Sequence, residues 1–170
     1  MQTEKRSRPN IIILAIAIIV IAISGGYSIH HRIEQNKLAD KISIQIKNTK
    51  KEIIKITDDD AILMSAVGAR IDTTKHNGVN GIQLNMYQQD YADAKSYESK
   101  IGLWNTMCDG FGNVVNNTKM QDPNIVISGD NLTQLNKHYK NTVKVKSLKT
   151  KLSALQTKYQ NAKSCNLIIA

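Results

Sequence analysis

LTQLNKHYKNTVKVKSLKTKLSALQTKYQNA, residues 132–162, is the most regular stretch of the chain. Leu132, Leu135, Tyr139, Thr142, Val145, Leu148, Leu152, Leu155, Tyr159 and Ala162 recur at spacings of three or four. That is the period of one face of an α-helix, whereas a strand alternates every two residues. From Val145 onward the spacing alternates strictly between three and four, which is the seam of a coiled coil. Val145, Leu148, Leu152, Leu155 and Tyr159 are the residues expected at its interface. Lys140, Lys144, Lys146, Lys149, Lys151 and Lys158 decorate the other faces, almost without acids. A parallel pair of identical helices would bring these like charges together. An acidic or anionic partner surface would relieve that cost.

Working back from this helix, the body divides into further helical stripes. Gly129-Asp130-Asn131 reads as the turn into it, and residues 124–128 as a short strand or extended link. Asp109-Gly110-Phe111-Gly112-Asn113 reads as the end of the preceding helix, so residues 109–130 are expected to be a linker. That preceding helix covers residues 82–108, on a stripe of Leu84, Tyr87, Tyr91, Ala94, Tyr97, Ile101, Trp104 and Cys108. Tyrosines at this spacing form a packed seam more readily than a base-stacking platform. Residues 78–81, with Gly78 and Gly81, read as a hinge. No phosphate-binding loop is present there.

Residues 30–77 read as a helical stalk, striped by Leu38, Ile42, Ile46, Thr49, Ile53 and Ile56. Thr57-Asp58-Asp59-Asp60 then reads as a fresh helix start. Thr57 would be the N-cap, with acids facing the positive end of the helix dipole. A short helix would follow to about Ile71. The calcium-loop spacing, with its central Gly and distal Glu, is missing. These stripes make the fold class all-α: one N-terminal transmembrane helix, then long helices forming a coiled coil or elongated bundle.

The transmembrane expectation rests on residues 11–23, all of them Ile, Leu, Val or Ala. Ile11, Leu14, Ile18 and Ile21 are representative anchor positions, and no charge interrupts the stretch to residue 29. Such residues each favour insertion by about 0.3–0.6 kcal/mol near the bilayer centre. The strict run is short against the about 20 residues a span needs. A cleaved signal peptide is the alternative, with Lys5, Arg6 and Arg8 in the basic tail of residues 1–10 and cleavage after Ala22-Ile23-Ser24. Either reading puts the N-terminus in the cytoplasm. The body is then periplasmic, held by a single inner-membrane pass or released after cleavage.

Little in the chain points to chemistry. The formal charge of +9 comes from 23 basic and 14 acidic residues spread along the chain, which suits solvated helix faces rather than nucleic acid. Aromatics are 5% of residues, and a large globular core normally uses more. His30, His31, His76 and His138 show no metal-ligand spacing, and the four Glu are too scattered to suggest an acid–base pair. The expectation is no enzyme, no cofactor and no metal. Cys108 and Cys165 are the remaining chemical feature. In an oxidising compartment an even count suggests a disulfide. Intermolecular pairing, each cysteine with its twin, needs no excursion of the chain. Intramolecular pairing needs residues 109–130 to run back nearly extended. Free thiols fit a cytoplasmic body.

The order of parts resembles a family of phage lysis proteins, the inner-membrane subunit of the spanin complex (the Rz type). The matching parts are the basic tail, residues 11–29, the stripe from Leu38, Cys108, residues 109–130, and a coiled coil over residues 131–166 that includes Cys165. The likeness is one of layout, without a specific motif. It implies a disulfide-linked homodimer that binds a small outer-membrane lipoprotein and helps disrupt the outer membrane in host cell lysis. The break at 78–81 and the apolar tail of residues 167–170 depart from it. A second reading is an accessory or assembly subunit, a helical bundle in an envelope machine such as a secretion, pilus or conjugation apparatus.

Overall fold

The structure is a computed structural model. It describes the backbone of residues 9–72, 79–121 and 129–164, and the side chains of residues 26–71, 83–116 and 129–164. Four helices make up all of the described residues except 94–96, with no strand among them: α1 (Pro9–Asp72), α2 (Val79–Asp93), α3 (Tyr97–Gln121) and α4 (Gly129–Ser164). The all-α class therefore holds. The expected short strand at residues 124–128 lies outside the described residues.

Pro9 opens α1, where its missing N–H would have had no helical partner anyway. The helix then runs without interruption through Thr57-Asp58-Asp59-Asp60, correcting the expected helix start there. The reason is the seam. Ile53, Thr57, Asp60, Met64, Val67 and Ile71 follow one another at four, three, four, three and four, and all are buried. Thr57 is not a cap. Its hydroxyl donates back to the carbonyl oxygens of Ile53 (3.1 Å) and Ile54 (3.1 Å), the mid-helix habit of a buried Thr.

Among the described residues, no helix is long and apolar enough to cross a membrane. This corrects the expected single inner-membrane pass with a periplasmic body. The strictly apolar run ends at residue 23, and the helix beyond it carries Ser24, Ser28, His30, His31 and Arg32. Ile11, Leu14, Ile18 and Ile21 belong to the α1 backbone, but their side chains lie outside the described residues.

Residues 82–108 are not one helix. α2 ends at Asp93, and Ser96 starts α3 as its N-cap, its Oγ accepting from the Ser99 backbone N–H at 3.0 Å. α3 then continues through Gly110 and Gly112, where a linker was expected. Two helical glycines cost about 1 kcal/mol each against alanine. The burial of Phe111, in step with Trp104, Met107 and Val114, offsets that cost. The expected hinge fares similarly: Val79 to Gly81 open α2, and Gly78 lies outside the described residues.

The chain divides into two compact units. Unit 1 comprises residues 1–45 and 155–170. Its described part buries Ala39 and Ile42 of α1 with Leu155 and Ala162 of α4, while Tyr159 is half-buried. Unit 2 comprises residues 46–154 and holds the main core. All four helices contribute: Ile53, Met64 and Val67 from α1, Leu84 and Tyr91 from α2, Trp104, Met107 and Phe111 from α3, and Leu135, Val145 and Leu152 from α4. Gly68 allows α1 a close approach, since a Cβ there would collide with the Leu84 side chain.

Candidate functional site

The centre of unit 2 is polar. Asp60 has no exposed surface. Its Oδ2 accepts from the Trp104 indole N–H at 3.0 Å and lies 3.0 Å from His138 Nδ1. Its Oδ1 accepts from Asn141 Nδ2 at 2.9 Å. One carboxylate from α1 thus gathers donors from α3 and α4. Burying an anion without such partners would cost several kcal/mol, and here each oxygen is engaged. No buried side-chain polar atom among the described residues lacks a partner.

His138 is itself buried, and its ring meets Phe111 edge-on, with centroids 5.0 Å apart and planes at 74°. Cys108 stands one turn beyond Trp104 on α3 and is half-buried. Asp60, Cys108 and His138 each bring a ligand-type atom within 4.8 Å of the others. Cys108 also lines a surface cleft of about 350 Å³, with Asn105, Asp109 and Thr142 on its walls. Lys149 crosses this region. Its Nζ donates to Asn105 Oδ1 at 3.1 Å and stands 5.3 Å from the centre of the Trp104 ring. Burial pushes the Cys108 thiol up to about 12, with the Asp60 and Asp109 carboxylates adding to the rise and Lys149 opposing it. A thiol held protonated is a poor nucleophile.

A second polar group lies two residues earlier on α1. The Tyr91 hydroxyl, from α2, stands 2.7 Å from Thr57 Oγ1 and donates to Asp58 Oδ1 at 2.9 Å. Lys100 Nζ, from α3, reaches the same Asp58 oxygen at 3.0 Å and sits 4.5 Å from the Tyr91 ring centre. Burial holds the Tyr91 hydroxyl well above the usual phenol range, helped by its bond to Asp58 and by the Asp58 and Asp60 charges, while Thr57 opposes the shift.

The residues expected at the coiled-coil interface are shared between the two units. Val145 and Leu152 belong to the core of unit 2, and Leu148 packs against it. Leu155 and Tyr159 belong to unit 1. Of the two cysteines, Cys108 is a free thiol and Cys165 lies outside the described residues. Sequence spacing missed the cluster around Asp60 because its members come from three helices. One signal was available: the α1 stripe, counted on from Ile53 in steps of four and three, lands on Thr57 and then Asp60.

No protein-family model matches the chain, and no curated protein or solved structure matches it significantly.

Proposed function

We propose that the protein is a non-catalytic assembly subunit, a helical bundle that presents the lysine face of α4 to an acidic partner protein. The observation that carries this reading is the division of α4 into two faces. Val145 and Leu152 turn inward to the core, while Lys137, Lys140, Lys144, Lys146 and Lys151 are exposed. Asp130 is the one acid in the helix. Tyr139 and Val143, 52% and 70% exposed, interrupt the lysines and supply apolar contact beside the charge. A basic surface with a few exposed apolar side chains suits a partner of opposite charge, which would speed encounter and fix orientation. The half-exposed Lys144–Glu52 pair, at 3.3 Å, is a small-scale version of that contact.

The linking reading of the spanin kind is weaker, because it needs the α4 seam for a twin helix. In unit 2 Val145, Leu148 and Leu152 are engaged by the chain's own core. The same engagement supports an accessory role in a larger complex, and a secretion, pilus or conjugation apparatus is the class to examine first.

Tagged protein purified from its native cells at low salt is expected to bring down a stoichiometric acidic partner. Lys137→Glu combined with Lys140→Glu and Lys151→Glu should abolish that capture while leaving the circular-dichroism melt intact. Recovery of the protein alone, or a partner that survives the triple reversal, overturns the proposal. A disulfide-linked homodimer as the only species would favour the linking reading instead.

A further inference from the structure

We propose that Asp60, Cys108 and His138 form a binding site for a thiophilic divalent cation, with Zn²⁺ the best fit, that clamps α1, α3 and α4 together. Three observations carry it. The first is composition: a carboxylate, a thiol and an imidazole are the three ligand types that zinc accepts, and the sulfur selects against calcium and magnesium. The second is distance. The ligand-type atoms lie within 4.8 Å of one another, and His138 Nδ1 is already 3.0 Å from Asp60 Oδ2. Two ligands at about 2.0 Å from a tetrahedral zinc stand about 3.3 Å apart, so that pair needs almost no movement. The third is the surround. Trp104 and Asn141 donate to the Asp60 oxygens, the outer hydrogen bonds that fix a ligating carboxylate in place.

The lone pairs allow it. An ionised carboxylate has about four acceptor sites, and Trp104, His138 and Asn141 occupy three. A metal on Nδ1 takes the neutral imidazole with its proton on Nε2, so the ring proton moves from Nδ1 to Nε2, and the one proton that leaves to solvent is that of the Cys108 thiol. The Asp60 and Asp109 carboxylates disfavour the thiolate and Lys149 opposes them, and a dication reverses the penalty these carboxylates impose. Cys108 lines the cleft, so the metal has a way in, and a water from the cleft can complete the fourth position. The clamp is independent of the partner-binding face of α4, so either proposal can fail alone.

Co²⁺ titrated into the full-length, reduced protein is the direct test. The expected result is a thiolate-to-cobalt charge-transfer absorption that saturates at one equivalent and is displaced by Zn²⁺. The band should vanish in Cys108→Ser and persist in Cys165→Ser. His138→Gln should weaken binding by about tenfold or more. Cys165→Ser leaves Cys108 as the single thiol and provides a check that requires no core substitution: Zn²⁺ should slow its alkylation at least tenfold. The proposal is overturned by a wild type without the band, by a band that survives Cys108→Ser or is lost with Cys165→Ser, or by alkylation that Zn²⁺ leaves unchanged.

Discussion

Asp58 and Asp60 sit two residues apart on the same helix, yet they live in different solvents. The Asp58 side chain is 45% exposed and meets a lysine and a tyrosine hydroxyl. Asp60 is wholly buried and meets an indole, an imidazole and an amide. Two residues turn an α-helix by about 200°, so each carboxylate addresses a different side of α1. Asp58 reaches Tyr91 of α2 and Lys100 of α3, whereas Asp60 reaches Trp104 of α3 and both His138 and Asn141 of α4. The difference teaches that the number of partners is a poor guide to energy. Water can replace any partner of Asp58, and nothing can replace a partner of Asp60 without leaving a buried group unpaired.

The sharpest way to break this comparison is to remove each acid in turn. Asp60→Ala strands the Trp104 N–H, the His138 ring and the Asn141 amide together in the core. A loss of about 3–5 kcal/mol is expected, on the scale seen when one partner of a buried ionic network is removed. Urea denaturation at neutral pH measures it. A loss below about 1 kcal/mol would put Asp60 on a par with a surface acid and remove the distinction.

A smaller cut at the same site separates one donor from the whole network. Trp104→Phe keeps an aromatic ring in the core but removes the indole N–H from Asp60 Oδ2. About 1–3 kcal/mol should be lost, since one acceptor site on a buried carboxylate becomes unsatisfied. If Trp104→Phe costs as much as Asp60→Ala, packing of the ring rather than the polar network holds the three helices.

Tyr91→Phe tests the other cluster. It removes the hydroxyl that joins Thr57 to Asp58, while Thr57 keeps its bonds to the Ile53 and Ile54 carbonyls. The expected loss is about 1 kcal/mol at neutral pH. A pH signature accompanies it. Burial raises the Tyr91 pKa in the folded protein, so the unfolded chain gives up the phenol proton first. The stabilisation is complete below the ordinary tyrosine value, about 10, and is lost as pH rises beyond it toward the folded value. The difference in stability between wild type and Tyr91→Phe should therefore shrink at strongly basic pH. A difference that stays constant there would mean the phenol is not shielded.

The same pair of acids shows how far the sequence could be read. The helical period was plain in Leu132 to Ala162, and α4 runs over that span. The run Thr57 to Asp60 misled because local chemistry and long-range packing disagreed. A Thr followed by acids is a good helix start in isolation, and the burial of Asp60 depends on donors 44, 78 and 81 residues away in sequence. Gly110 and Gly112 misled in the same way, because Phe111 between them is needed in the core. Ser96 was readable in principle, since Ser is a favoured N-cap, but the tyrosine stripe ran across it and hid the break. The proximity of Cys108, Asp60 and His138 left no trace in spacing, because helix packing alone brings them together.

The least costly change sharpens the comparison from the Asp58 side. Lys100→Met removes the ammonium 3.0 Å from Asp58 Oδ1 while keeping an apolar stem. The Asp58 side chain is 45% exposed and Lys100 is 20% exposed, so water competes for both charges. The expected loss is about 0–1 kcal/mol at low salt. The cation also lies against the Tyr91 ring, which adds a contribution of similar size at a partly exposed site. Raising the salt to about 1 M shortens the screening length to about 3 Å. The difference between wild type and Lys100→Met should then fall further, as it should for no variant at Asp60, where the donors are buried and largely unscreened. A salt-independent loss of more than about 2 kcal/mol at Lys100 would show that Asp58 is as sheltered as Asp60. The helix would then carry two core carboxylates rather than one.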